Sequence, residues 1–170
     1  MNLRYITLSL FLIGIATFAT VDLNFWLDVD YFVFDATPSS TISIYGAQLD
    51  IVFPSPGNVS MGFGIEGGYV TADASFLEMD YTNSIGIYAV GVYKSPLTSV
   101  FDFVVVSRGG ISIPSLDLSK MGYFTEVSVG ITYPLSKSFW ISLASAMKSY
   151  SFGNPYVTFI PIKLGIGGEL

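Results

Sequence analysis

Three aromatic residues recur every 40 positions, and each is followed at once by a short proline-containing segment. They are Phe53, Tyr93 and Tyr133, and the segments span 54–57, 94–97 and 134–137. A fixed period of this length marks a repeated supersecondary unit. Glycine and proline clusters divide each unit into a strand, a longer loop, a second strand and a short turn. The period therefore predicts a sheet built from consecutive hairpins.

The glycine and proline clusters divide the 170 residues into eight predicted strands. We place them at 22–34, 41–53, 58–70, 81–93, 98–107, 121–133, 138–150 and 156–170. Connections of about four residues follow the second, fourth and sixth strands, and longer ones follow the others, including 108–120 after the fifth. Each strand is long enough to cross a bilayer, which takes roughly 9–11 tilted residues. Short turns at one end and longer loops at the other are typical of a bacterial outer-membrane barrel.

Charge falls on one side of the predicted strands. Ten charged residues lie within them, and alternation places all ten on the face opposite the apolar one: Asp22, Asp28, Asp30, Asp50, Glu66, Asp102, Glu126, Lys148, Lys163 and Glu169. Random placement would divide them between the faces. A lipid-facing surface explains the asymmetry, because Arg or Lys at mid-bilayer costs about 2–4 kcal/mol. The sequence predicts an all-β fold, an eight-stranded antiparallel up-and-down transmembrane β-barrel.

The same alternation suits a soluble sandwich or a lipocalin-like barrel, in which the apolar face points inward. Three features favour lipid. Hydrophobic residues reach 51% while charged residues make up 12%. The opposite face is rich in Gly, Ser and Ala, which suit a narrow lumen. Aromatic residues recur at the ends of the apolar face, as in an aromatic girdle. We predict a girdle of Phe53, Tyr69, Tyr93, Tyr123 and Tyr133.

The first residues predict a signal peptide over 1–19 and a barrel domain over 20–170. Arg4 supplies the positive start, residues 8–15 form the apolar stretch, and Thr17 and Ala19 suit the positions before a cleavage site. A cut one residue later is the alternative. An outer-membrane location follows from this export signal and the barrel together.

The absence of whole residue types excludes several kinds of chemistry. The sequence contains neither cysteine nor histidine, so disulfides, thiolate or imidazole metal sites and histidine-dependent triads are excluded. We expect no cofactor, metal or catalytic site. A formal charge of −6 gives no support for nucleic-acid binding. Residues 62–67 fit G-x-G-x-x-G by letter but lie within a strand, so we interpret these glycines as relieving crowding.

Six charged residues are predicted to share a layer near mid-height in the lumen. They are Asp28, Asp30, Glu66, Glu126, Lys148 and Lys163. Because buried charges must be paired, we predict a structural ion-pair network, with an excess of acid that is either hydrated or protonated. Asp50 and Asp102 are expected nearer the mouth, in contact with water. Trp26 and Trp140 are expected to fill the lumen.

Within the eighth strand, residues 159–170 form an alternating apolar run that contains Pro161-x-x-x-Gly165. It resembles the closing strand of the small outer-membrane barrels grouped around the OmpA transmembrane domain and OmpX. The resemblance implies an integral outer-membrane protein whose partners are membrane lipid and the barrel-assembly machinery. Such proteins usually end in Phe, whereas this chain ends in Leu170.

Three functions remain open from the sequence. The first is a structural or surface-interaction role for a barrel filled by side chains, with a ligand reached through loops near Tyr150, Phe152 and Tyr156. The second is a narrow channel for ions or small solutes. The third is a soluble periplasmic lipocalin-like carrier of apolar ligands, with the apolar face turned inward.

Overall fold

The computed structural model describes residues 21–33, 42–72, 83–114, 116–151 and 156–170. The predicted signal peptide, 1–19, and Phe152 lie outside these residues. The chain forms eight strands: β1 Asp22–Val33, β2 Ile42–Phe53, β3 Val59–Ala72, β4 Asn83–Pro96, β5 Asp102–Pro114, β6 Gly122–Pro134, β7 Phe139–Ser151 and β8 Tyr156–Glu169. A short 3-10 helix, Leu118–Lys120, precedes β6. Among the described residues, no helix has the length and apolarity needed to cross a membrane.

The strands close into a single antiparallel barrel in sequence order. β1 pairs with β8, so that Trp26 lies opposite Gly165 and Asp28 opposite Lys163. The backbone N–H of Leu170 donates to the carbonyl of Val21 at 2.9 Å beside this seam. The predicted eight-stranded up-and-down barrel is therefore confirmed. Closure leaves no strand edge unpaired, which is the condition for strands in an apolar phase.

The two faces of the strands differ as the alternation predicts. Leu27, Ile65 and Leu164 point outward and are 48%, 54% and 56% exposed. Asp28, Glu66 and Lys163, each one position away, are buried in the lumen. The apolar face is thus the outside of the barrel, and the soluble carrier with an inward apolar face does not match this arrangement.

The two ends of the barrel differ in their connections. The end with residues 54–58, 97–101 and 135–138 carries short turns, and we call it the turn end. The opposite end carries the connections after β1, β3, β5 and β7, and we call it the loop end. The short turns after the second, fourth and sixth strands agree with the prediction.

β4 and β5 differ from the prediction. β4 continues to Pro96, because Lys94 and Ser95 still pair with Val104 and Phe103. β5 runs from Asp102 to Pro114 instead of 98–107. The predicted connection 108–120 includes the glycine pair 109–110, yet both glycines continue the ladder, opposite Ala89 and Tyr88. The connection predicted at 108–120 is therefore much shorter, and Arg108 belongs to a strand.

Candidate functional site in the lumen

A layer of charged side chains fills the middle of the lumen. We call it the charge layer, and among the described side chains it consists of Asp28, Gln48, Asp50, Glu66, Arg108, Glu126, Lys148 and Lys163. Each is at most 5% exposed. Neighbouring strands supply cross-strand partners, with Arg108 opposite Glu126 and Glu126 opposite Lys148. The barrel register therefore brings opposite charges together across adjacent strands.

Arg108 joins two carboxylates on opposite sides of the lumen. Its Nε donates to Asp50 Oδ1 at 3.1 Å and its Nη2 to Asp50 Oδ2 at 2.6 Å, which makes a bidentate pair. Its Nη1 donates to Glu126 Oε1 at 2.5 Å. The planar guanidinium suits this geometry, because it presents its donors as a rigid fork. The strands β2, β5 and β6 are thereby connected through the lumen.

Glu126 and Gln48 connect the arginine to the first of two lysines. Lys163 Nζ lies 2.5 Å from Glu126 Oε1 and also donates to Gln48 Oε1. Gln48 Nε2 donates to Glu126 Oε2 at 2.8 Å and lies 3.2 Å from Glu66 Oε2. The neutral amide thus donates to two carboxylates and accepts from an ammonium. Side chains from β2, β3, β6 and β8 thereby belong to one buried hydrogen-bond network.

Lys148 lies on the loop-end side of this network. Its Nζ donates to Glu66 Oε2 at 2.7 Å and lies 3.7 Å from Glu126 Oε2. Glu66 Oε1 accepts from the Tyr150 hydroxyl at 3.2 Å. The Lys148 ammonium also lies 5.3 Å from the ring centre of Phe124, which is cation–π distance.

Asp28 has the weakest set of partners in the charge layer. Its Oδ1 is 3.2 Å from Lys163 Nζ and its Oδ2 is 3.7 Å from Lys148 Nζ, but neither oxygen accepts a hydrogen bond from the described residues. The layer holds four described carboxylates against three cations. Among the described side chains the carboxylates thus outnumber the cations by one, and Asp28 is the carboxylate that accepts no hydrogen bond from them. The side chain of Asp30 lies outside the described part of the chain, and its backbone pairs with Pro161.

Five of the six residues predicted for the lumenal layer are brought together, namely Asp28, Glu66, Glu126, Lys148 and Lys163. Asp50 was expected to meet water at the mouth, which is wrong. It is 1% exposed and takes the arginine pair described above. Asp102 does lie at the mouth, where its carboxylate is 3.2 Å from Lys94 Nζ.

Arg108 was missed because the prediction makes it the first residue of the 108–120 connection, next to the glycine pair 109–110. The alternation of Phe103, Val105 and Ser107 with Val104 and Val106 places position 108 on the lumenal face. Extending that alternation by one step would have found the third cation. Gln48 carries no charge and therefore gave no signal for an ion-pair network, although alternation with Asp50 places it on the lumenal face.

Two aromatic residues also donate to the Asp50 carboxylate. Trp26 Nε1 donates to Asp50 Oδ2 at 3.0 Å, and the Tyr88 hydroxyl donates to Asp50 Oδ1 at 2.7 Å. The guanidinium carbon of Arg108 lies 5.5 Å from the Trp26 ring centre. Trp140 lies nearer the mouth, where its Nε1 donates to Asn24 Oδ1 at 3.0 Å. Both tryptophans therefore occupy the lumen, and each donates its indole N–H.

Large lumenal side chains are accommodated by glycines at the paired positions of neighbouring strands. Tyr88 lies between Gly64 and Gly110, and a Cβ on either glycine would come within 2.6 Å of its atoms. A Cβ on Gly165 would likewise lie 2.6 Å from the Trp26 ring. We call these positions glycine slots. Of the three glycines in 62–67, Gly64 thus makes room for a large neighbour as predicted, whereas a Cβ on Gly67 would meet no atom within 4 Å.

Two narrow cavities lie among the described lumenal side chains. One cavity of about 10 Å³ borders Asp28, Glu66 and Lys148. Another of about 60 Å³ lies at the turn end, lined by residues that include Trp26, Val106 and Trp140. The first has room for about one water molecule. The Lys163 and Arg108 side chains between these cavities are fully buried, so the arrangement fills the lumen at mid-height.

The predicted girdle residues all lie on the outside. Phe53, Tyr93 and Tyr133 are at the turn end, and Tyr69 and Tyr123 are at the loop end. Tyr123 is 69% exposed, and Tyr45 lies directly opposite Tyr69 as a further outward ring. Phe101 packs against Tyr133, with ring centres 5.5 Å apart.

Solved structures share this architecture. Neisserial surface protein A matches over 88% of this chain and 95% of its own, with 10% sequence identity and a TM-score of 0.60. The chain has the fold of a small outer-membrane barrel. The outer membrane enzyme PagL matches more loosely, with 11% identity, 86% and 97% of the two chains covered and a TM-score of 0.49. No protein-family model matches the sequence, and no curated protein sequence does.

Proposed function

We propose that the protein is an integral barrel of a bacterial outer membrane, with a lumen held closed by an internal ion-pair network and a structural or surface-interaction role. The observation that carries the proposal is the inverted distribution of polarity. Charged side chains are buried inside, while Leu, Ile, Val and Phe cover the outside. In water this arrangement would expose the apolar face and bury the charges. In a membrane the apolar outer face contacts lipid, and the charged side chains contact one another inside the barrel.

The charge layer supports the closed lumen. It links β1, β2, β3, β5, β6, β7 and β8 through ion pairs, and the Arg108–Asp50 and Lys148–Glu66 pairs reach across the lumen. Removing one partner of a buried ion pair leaves a charge without compensation and costs about 3–5 kcal/mol. We infer that the layer stabilises the closed barrel and blocks passage. With the lumen filled, partners would contact the outside of the barrel: membrane lipid at the apolar face and a surface ligand at the loop end. The barrel-assembly machinery would contact β8.

Heat-modifiability in the envelope fraction tests the membrane barrel. We expect the mature protein to be extracted only by detergent and to migrate faster on a gel before boiling than after boiling. Release without detergent and without a mobility difference would contradict the proposal.

Lys163→Met tests the network. We expect the mobility shift to persist while the thermal unfolding temperature falls, because Glu126 and Asp28 both lose an ammonium. Leu164→Met is the matched control on the outer face and should leave that temperature nearly unchanged. Equal unfolding temperatures for Lys163→Met and the parent protein would remove the support for an ion-pair network.

A planar-bilayer recording tests closure. We expect no steady conductance from the parent protein, because the layer fills the lumen at mid-height. Stable open channels would favour the narrow-channel alternative.

A further inference from the structure

The connection between β5 and β6, 116–121, carries exposed apolar side chains at the loop end. Leu116 is 66% exposed, Leu118 is 73% exposed and Met121 is 52% exposed. Tyr123, two residues further on, belongs to the outer face of β6 and is 69% exposed. Large apolar side chains grouped in this way mark an interaction surface rather than ordinary surface scatter.

Four backbone N–H groups of this connection, those of Asp117, Ser119, Lys120 and Met121, donate to acceptors in or next to it. The Asp117 N–H donates to the Pro114 carbonyl at 2.9 Å, and the Lys120 N–H donates to the Asp117 carbonyl at 3.0 Å. The Asp117 carboxylate caps the 3-10 helix by accepting from the Ser119 N–H at 3.0 Å. It also accepts from the Ser119 hydroxyl at 2.7 Å. These bonds lower the cost of moving the four N–H groups out of water and into the membrane interface.

Leu116 is held against the outer wall of the barrel. Its backbone has a φ of +56°, in the left-handed region that is unfavourable for a leucine. In this position it borders an outward groove together with Tyr45, Tyr69 and Ile85. The floor of the groove includes Gly67, where an added Cβ would meet no atom within 4 Å. The loop therefore continues the apolar outer face instead of extending away from it.

We infer that the 116–121 connection is an interfacial anchor, which inserts Leu116, Leu118 and Met121 among the lipids at the loop-end rim. The occupant of the groove is a lipid acyl chain, because the groove is continuous with the outward apolar face. The charged residues of the connection suit the headgroup level. Hydrogen bonds from the Ser119 side chain hold the pKa of Asp117 below its usual value, so that its carboxylate stays charged there. This inference rests on the proposed membrane location.

The absence of cysteine from the sequence permits labelling at single sites without background. Leu116→Cys, Leu118→Cys and Met121→Cys would each carry a nitroxide in phosphatidylcholine–phosphatidylglycerol vesicles. Leu164→Cys on the outer face of β8 is the lipid control, and Lys137→Cys in a turn-end connection is the water control. Each variant is first checked for the gel-mobility shift of a folded barrel. Power saturation then compares collisions with oxygen, which concentrates in lipid, and with a water-soluble nickel chelate.

We expect the three connection labels to follow the Leu164→Cys label, with an oxygen-to-nickel collision ratio several-fold above that of Lys137→Cys. Nickel-accessible connection labels beside an oxygen-accessible Leu164→Cys label would overturn the anchor and leave the membrane barrel intact. A nickel-accessible Leu164→Cys label would overturn the proposed location itself. Dipolar broadening between connection labels on separate molecules would assign the surface to a second copy of the chain and so contradict the lipid occupant.

Discussion

The middle of the lumen and its turn end are filled in different ways. The middle holds the charge layer, in which nearly every polar atom has a partner across the axis. The turn end is lined by Val52, Val104 and Val106, each at most 5% exposed, with a hydroxyl pair of Thr132 and Ser142 at 2.9 Å. The larger of the two lumenal cavities, about 60 Å³, lies in this second region.

The two regions are stabilised in different ways, the turn end by apolar burial and the middle by paired charges. Valine side chains contribute according to the area they bury, and the loss of one methyl group is local. Charged side chains contribute as a set, because each one compensates the burial of several others. A substitution in the middle should therefore cost more than one of similar size at the turn end. Four substitutions test this expectation, ordered by expected effect.

Arg108→Met should have the largest effect, a loss of about 3–5 kcal/mol in the free energy of unfolding. Asp50 and Glu126 would stay buried without the guanidinium that joins them. Urea titration of the barrel in vesicles, followed by gel mobility, measures the change. A loss below about 1 kcal/mol would show that the two regions do not differ in the way described.

Trp26→Phe should cost about 1–3 kcal/mol, because the buried Asp50 carboxylate loses the indole N–H donor. Arg108 and Tyr88 still donate to that carboxylate, so the effect should be smaller than for Arg108→Met. The same titration measures it. Trp140→Phe, which removes an indole donor from the less buried Asn24, provides the control and should cost less.

Val106→Ala should cost about 1–2 kcal/mol, from the lost burial of two carbon atoms and the enlarged cavity. The slope of unfolding free energy against urea should stay the same, since the exposed area hardly changes. A cost equal to that of Arg108→Met would contradict the comparison.

Lys94→Gln should have the smallest effect, below about 1 kcal/mol, because the Lys94–Asp102 pair is partly exposed at the mouth. The difference from the parent protein should shrink further at 1 M salt, where the screening length falls to about 3 Å. Stability measured at low and high salt would show this. An effect independent of salt would indicate that the contact with Trp140, rather than the ion pair, carries it.

The sequence predicts the fold well because two simple periods act throughout the chain. The alternation assigns each residue to the lumen or the outside, and the 40-residue repeat locates the turns. Even Trp26 and Lys163, far apart in sequence, were placed on the correct face. What alternation does not provide is height within the barrel, since that depends on strand tilt and on the register of every pair. Asp50 was therefore assigned to the mouth, although the register brings it to Arg108.

The error at Arg108 has a different cause. Adjacent glycines usually mark turns, but inside a narrow barrel they also make room for large neighbours. Gly110 lies opposite Tyr88 and leaves the space that the ring occupies. A pair of adjacent glycines can therefore indicate either a turn or a strand position beside a large side chain. The partner strand distinguishes them once the fold is known, and before that the alternation through Ser107 is the signal in the sequence that the strand continues.

The glycine slots have a consequence for how the strands find each other. An antiparallel pair displaced by two residues keeps its ladder of hydrogen bonds and its inward and outward faces. Neither backbone bonding nor alternation therefore disfavours such a shift, whereas side-chain size does. A two-residue shift in one direction would set Trp26 against Lys163 instead of Gly165, and Tyr88 against Arg108 instead of Gly110. Each bulky ring and its glycine therefore favour the observed register over this shifted one.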